Sequence, residues 1–116
     1  MDSISRGVDV PPTMDDRLLA EGYLKKIRGF MQNRTRYFRL TMDHFAFYKE
    51  NCGQLISYIS RREITQVKDL SSDRFEVVTS AVFGASGAKT MILEAATAAI
   101  KARWLRALEN DGDIVS

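Results

Sequence analysis

The sequence predicts a small, mainly β fold, with seven short antiparallel strands in a compact barrel or two-sheet sandwich and one C-terminal helix as its cap. Two observations predict it. Between Gly22 and Glu94, short runs rich in Val, Ile, Tyr, Phe and Thr alternate with polar or glycine-bearing turns, as strands do. After Thr97 the pattern changes. Ile100, Trp104 and Leu108 recur every four residues with Leu105 beside them, which draws one apolar stripe along a helix.

The first strand is expected over residues 22–27 (GYLKKI) and the second over 34–41 (RTRYFRLT), joined by the loop 28–33. Met42-Asp43-His44 reads as a turn into a third strand at 45–50, with His44 as a surface turn residue. Asn51-Cys52-Gly53 turns the chain into a fourth strand at 54–59, and a fifth follows at 64–68. Residues 74–79 (RFEVVT) and 90–94 (TMILE) complete the seven, joined through the small-residue stretch at 84–88. Thr97 is placed to cap a helix that runs to about Asn110, roughly 20 Å long. A sheet this small leaves an open end or edge, and the helix, with Ile100 and Trp104 inward, is the element available to cover it. The domain is expected over residues 20–110. Residues 1–19, interrupted by Pro11-Pro12, read as a flexible linker and 111–116 as a tail.

With 116 residues the chain fits one domain, and 45% hydrophobic content supports one ordinary core. The single cysteine, Cys52, permits no internal disulfide and fits a reducing compartment, so a cytoplasmic location is expected. No apolar run approaches the roughly 20 residues that cross a bilayer. Asp2 after Met1 excludes the glycine that myristoylation needs, so any membrane contact is expected from the folded surface.

Catalysis has little support. The chain's one His and Cys52 lie in separate predicted turns and make no nucleophilic pair, and no P-loop, dinucleotide fingerprint or metal-ligand motif occurs. No enzyme activity, cofactor or metal is expected. Single-stranded nucleic-acid binding would want exposed aromatics among the cations. Tyr37 is the one good candidate, so no nucleic-acid partner is expected.

The net charge is only +2, but it is unevenly distributed. Lys25, Lys26, Arg28, Arg34, Arg36 and Arg39 fall between Glu21 and Leu40, with Glu21 as the only acid in that window. Strand parity sorts them. Gly22, Leu24 and Lys26 share one face of the first strand, and Arg34, Arg36, Phe38 and Leu40 share one face of the second. Leu24, Phe38 and Leu40 are core residues, so Lys26, Arg34 and Arg36 continue the core-facing row past its apolar part. In an antiparallel hairpin they are expected to converge at the mouth, and because an isolated buried cation is costly, such a cluster needs solvent or an anion.

In order and spacing, residues 20–110 resemble the pleckstrin homology family. The resemblance rests on Glu21-Gly22-Tyr23-Leu24-Lys25-Lys26, on Arg34-Thr35-Arg36-Tyr37-Phe38-Arg39-Leu40, and on Phe47-Tyr48-Lys49 with Gly53. It continues in Phe75-Glu76-Val77-Val78-Thr79 and in residues 90–97, which lead to Trp104 seven residues after the cap. The resemblance implies a seven-stranded barrel closed at one end by the helix, with a ligand site at the open end. It implies a non-enzymatic module that binds phosphoinositide headgroups, peripheral at membranes, and the linker-like leader at 1–19 suggests a place in a larger multidomain protein. The family's pattern of a Lys on strand one, then basic-x-Arg before an aromatic pair, falls on Lys26, Arg34 and Arg36. Arg28 and Lys89 are further candidates. Phe47 stands where many tight binders of 3-phosphorylated headgroups carry a tyrosine. Phe30 and Met31, at the tip of the 28–33 loop, are candidates for membrane insertion. The alternative is a protein-docking module with weak or no lipid binding.

Overall fold

The computed structural model describes residues 11–13, 17–28, 33–80 and 89–109. Seven strands form one antiparallel sheet: β1 (Leu18–Ile27), β2 (Arg34–Thr41), β3 (His44–Tyr48), β4 (Leu55–Ser60), β5 (Ile64–Asp69), β6 (Arg74–Thr79) and β7 (Thr90–Glu94). One 3-10 turn, Arg61–Glu63, separates β4 from β5, and a single α-helix, α1 (Ala98–Glu109), follows β7. The strand order is β4-β3-β2-β1-β7-β6-β5, so the first strand pairs with both the second and the last. The predicted fold class is the one observed.

Both halves of the sheet contribute to one core. Leu24, Phe38, Phe45, Phe47 and Ile59 from β1–β4 join Phe75, Val77, Met91 and Leu93 from β6–β7. A sheet whose two halves share a core must bend around it, and bulges supply local bending. The register slips by one residue at Leu19 in β1, at Ile56 in β4 and at Thr65 in β5.

The helix closes this core. Trp104 is fully buried and meets Phe45 edge-on at 6.3 Å, while Ile100, Leu105, Ala107 and Leu108 pack against the same core. Its first turn is capped as expected, since Thr97 Oγ1 accepts the Ile100 N–H at 3.1 Å.

Two local expectations are corrected. The first strand starts at Leu18, four residues ahead of its predicted start, because Leu18 pairs with Thr41 and the Met42 N–H donates to the Arg17 carbonyl. His44 is not a surface turn residue. It opens β3, is buried, and lies edge-on to Tyr58 with centroids 5.4 Å apart. Thr41 makes the turn instead, its hydroxyl accepting from the N–H groups of Asp43 and His44.

Candidate anion site at the β1–β2 rim

The β1–β2 register sets the site. Lys26 lies directly opposite Arg34, and Leu24 opposite Arg36. Leu24 is buried, so the row it shares with Lys26, Arg34 and Arg36 continues from the core to the rim. One strand further, Phe47 pairs with Phe38, and the two rings stack with centroids 5.1 Å apart. The Lys26 ammonium sits over the face of the buried Phe47 ring, 4.2 Å from its centroid.

This position makes Lys26 an unusual lysine. Its pKa is pushed down to about 8, first by burial, then by the positive charges of Arg28, Arg36 and Arg34. Four cations therefore act on one another at this rim. Among the described residues none of the four forms an ion pair with an acid. Asn33 fixes the base of the intervening loop, its side-chain oxygen accepting the Arg28 N–H at 2.9 Å.

The other candidates lie around this centre. Arg28 and Arg34 are exposed at the ends of β1 and β2, and Arg36 is half-buried between them and the core. Lys89 is exposed just ahead of β7, its carbonyl accepting from the N–H and hydroxyl of Thr79. Ile27 pairs with Ile92, which puts Lys89 at the same end of the sheet as Arg28. The charges that depress Lys26 are those of the three arginines. Phe30 and Met31 lie outside the described residues.

The opposite face carries a group that the sequence reading did not assemble. Tyr23 pairs with Tyr37, and Tyr37 with Tyr48, giving a tyrosine row across three strands. Tyr23 meets Tyr37 edge-on at 4.9 Å, and its hydroxyl accepts the Asn51 N–H at 3.1 Å. Burial and a hydrogen bond to Glu21 raise the Tyr37 pKa to about 12, and Arg39 is buried 4.0 Å from that carboxylate. Tyr37 is buried rather than open for base stacking. Parity could have found this row, since the three tyrosines occupy outward positions of consecutive strands.

No family model matches the sequence, and no curated protein aligns with it. Solved structures do match. The pleckstrin homology (PH) domain of human KIAA0053 protein superposes with a TM-score of 0.68 at 19% identity, covering 89% of this chain and 96% of that one. The PH domain of ORP8 gives 0.65 at 15% identity, covering 79% and 94%. This chain has the PH fold. A third match, the structure of human RhoA in complex with the DH/PH fragment of PDZRHOGEF, gives a TM-score of 0.67 at 15% identity. This chain covers 28% of that one, and 28–31% of each of the first three chains matched.

In this fold Trp104 packs against Phe45, while Lys26 reaches over Phe47, the next inward residue of the same strand. Among the described residues no three His, Cys, Asp or Glu side chains gather to hold a metal ion, and no helix is long and apolar enough to cross a membrane.

Proposed function

We propose that this PH domain is a non-catalytic membrane-docking module that binds a phosphorylated inositol headgroup through Lys26, Arg34 and Arg36, with Arg28 and Lys89 extending the rim. The observation that carries the proposal is the half-buried Lys26 ammonium, which feels the charges of three arginines and has no acid paired with it among the described residues. A cluster of that kind is an anion site waiting for charge, and a phosphate fits it by chemistry. Arginine gives paired planar donors to phosphate oxygens, while lysine gives a compact charge.

Charge-assisted hydrogen bonds contribute about 1.5–3 kcal/mol each. Micromolar binding needs about 8 kcal/mol, so two or three bonds require support from long-range attraction to the leaflet. Phe30 and Met31 would add apolar insertion from the same hairpin. The setting that fits is a peripheral position on a cytoplasmic membrane surface, within a longer multidomain protein such as the RhoA-bound DH/PH chain it partly matches.

Titration with a panel of soluble inositol phosphates, followed by cosedimentation with phosphoinositide vesicles, tests this reading. A folded Arg34→Ala/Arg36→Ala double variant is expected to lose most of its affinity for both. Undiminished binding in that variant would reject the site. Capture of a protein partner that survives the double variant would favour protein docking, a reading supported by the exposed Leu18, Tyr23 and Ile56.

A further inference from the structure

The outer face of β1–β3 carries a second feature, independent of the cation rim. Tyr37, Arg39 and Tyr48 line a cavity of about 330 Å³ together with the Asn51-Cys52-Gly53 turn. Its remaining wall is Pro12 and Thr13, from the chain ahead of β1. Arg17, five residues beyond Pro12, is held at the other end of the sheet, where its carbonyl accepts the Met42 N–H. Pro12 and Thr13 therefore face Tyr37 and Tyr48 across this cavity, beside the β3–β4 turn.

The chemistry of the two surfaces agrees. Pro11 precedes Pro12, which confines it to an extended or polyproline conformation. Such a segment has little backbone freedom to lose on docking, and proline rings pack on flat aromatic surfaces, as in grooves that recognise proline-rich peptides. Pro12 is half-buried while Pro11 and Thr13 on either side of it are exposed, so the ring that faces the sheet is the one withdrawn from water. Tyr37 is held by Glu21, and Tyr23 ties the edge of the groove to Asn51.

We propose that the outer face of β1–β3 is a docking groove for a proline-bearing extended segment, and that its occupant is residues 11–13 of this same chain. The segment then works as a strap, joining the approach to β1 to the β3–β4 turn and covering a surface otherwise open to a partner.

The test uses the full chain and two readouts. Nuclear Overhauser contacts are expected between the Pro12 ring and the rings of Tyr37 or Tyr48. Tyr37 and Tyr48 lie in the same cavity wall, so their ring resonances report cover of the groove. A Pro11→Ser/Pro12→Ser variant is expected to shift both sets of ring resonances at an unchanged melting temperature. Absence of the Pro12 contacts, or unshifted Tyr37 and Tyr48 rings in the variant, would overturn the groove. Contacts seen only between differently labelled molecules in a mixed sample would overturn the intramolecular occupant and assign a second copy instead.

Discussion

The ammonium of Lys26 rests 4.2 Å from the centre of the Phe47 ring, with Arg34 directly across the strand pair. The ring offers a negative face to a cation that has lost part of its water, and the arginines raise the cost of keeping it charged. Proton binding and folding are therefore coupled through one side chain, and at the proposed site anion binding would join them.

The pH dependence follows in sign. Lys26 has a pKa of about 8 in the folded protein against 10.5 ordinarily. Between those values the unfolded chain holds a proton that the folded chain has released, so unfolding free energy rises with pH across that window. The destabilisation by charged Lys26 is fully present below about 8 and is relieved above it. Anion binding runs the other way. A phosphate favours charged Lys26, so affinity is expected to fall as pH rises through 8, with proton uptake on binding near that pH. Calorimetry in two buffers of different ionisation enthalpy measures the uptake. Lys26→Met is expected to abolish it, and a pH-independent affinity in the wild type would contradict the coupling.

Asn33 offers a second test of the rim. Its side-chain oxygen holds the Arg28 N–H, so Asn33→Asp keeps the acceptor while placing an acid among Arg28, Arg34 and Lys26. Binding of inositol phosphates is expected to drop about tenfold, which corresponds to about 1.4 kcal/mol. Thermal stability is expected to hold. Asn33→Ala, which loses the acceptor without adding charge, is expected to weaken binding less. Equal losses in the two variants would show that loop geometry, not charge, controls the rim.

The strand register and the cation row were legible in the sequence because both follow from period-two alternation. Leu24, Phe38 and Leu40 mark the buried face, and Lys26, Arg34 and Arg36 fall on the same parity. Thr97 and Trp104 were equally plain, since a cap and an apolar stripe are local signals. His44 was misread because polarity beside an Asp reads as a turn, whereas pairing with Ser60 and contact with Tyr58 draw it inside. The tyrosine row was open to the same parity argument, but the place of Pro12 beside it needed three strands in register at once. Lys101 gave no signal at all, because its partners lie about thirty residues away.

That lysine is expected to matter more for stability than any surface charge. Its ammonium donates to the carbonyls of Leu70 and Ser72 at 2.8 and 2.7 Å and pairs with Asp69 at 2.7 Å, tying α1 to the β5–β6 turn. The side chain is nearly buried, and removing it leaves two carbonyls without their donor. Lys101→Met is expected to destabilise by about 2 kcal/mol, a fall of roughly 10 °C in melting temperature. Asp69→Asn, at an exposed carboxylate, is expected to cost about 0.5 kcal/mol. Similar losses in the two variants would mean that the ion pair, not the carbonyl clamp, holds the turn.

The β3–β4 turn contains a strained residue. Cys52 has φ = 62°, in the left-handed region, while the Gly53 N–H returns to the Glu50 carbonyl at 2.8 Å. A side chain there costs about 1 kcal/mol that glycine avoids. Cys52→Gly is expected to stabilise the domain by up to about 1 kcal/mol, offset in part by the greater freedom of glycine in the unfolded chain. Gly53 tolerates no such exchange in reverse. A Cβ at that position would lie 2.5 Å from Glu50 Cγ and 2.9 Å from its carbonyl oxygen, so Gly53→Ala is expected to destabilise and to disturb the Tyr23–Asn51 hydrogen bond beside it. Chemical denaturation of the two variants separates these effects. A Cys52→Gly protein less stable than wild type would show that the thiol's contacts outweigh the backbone strain.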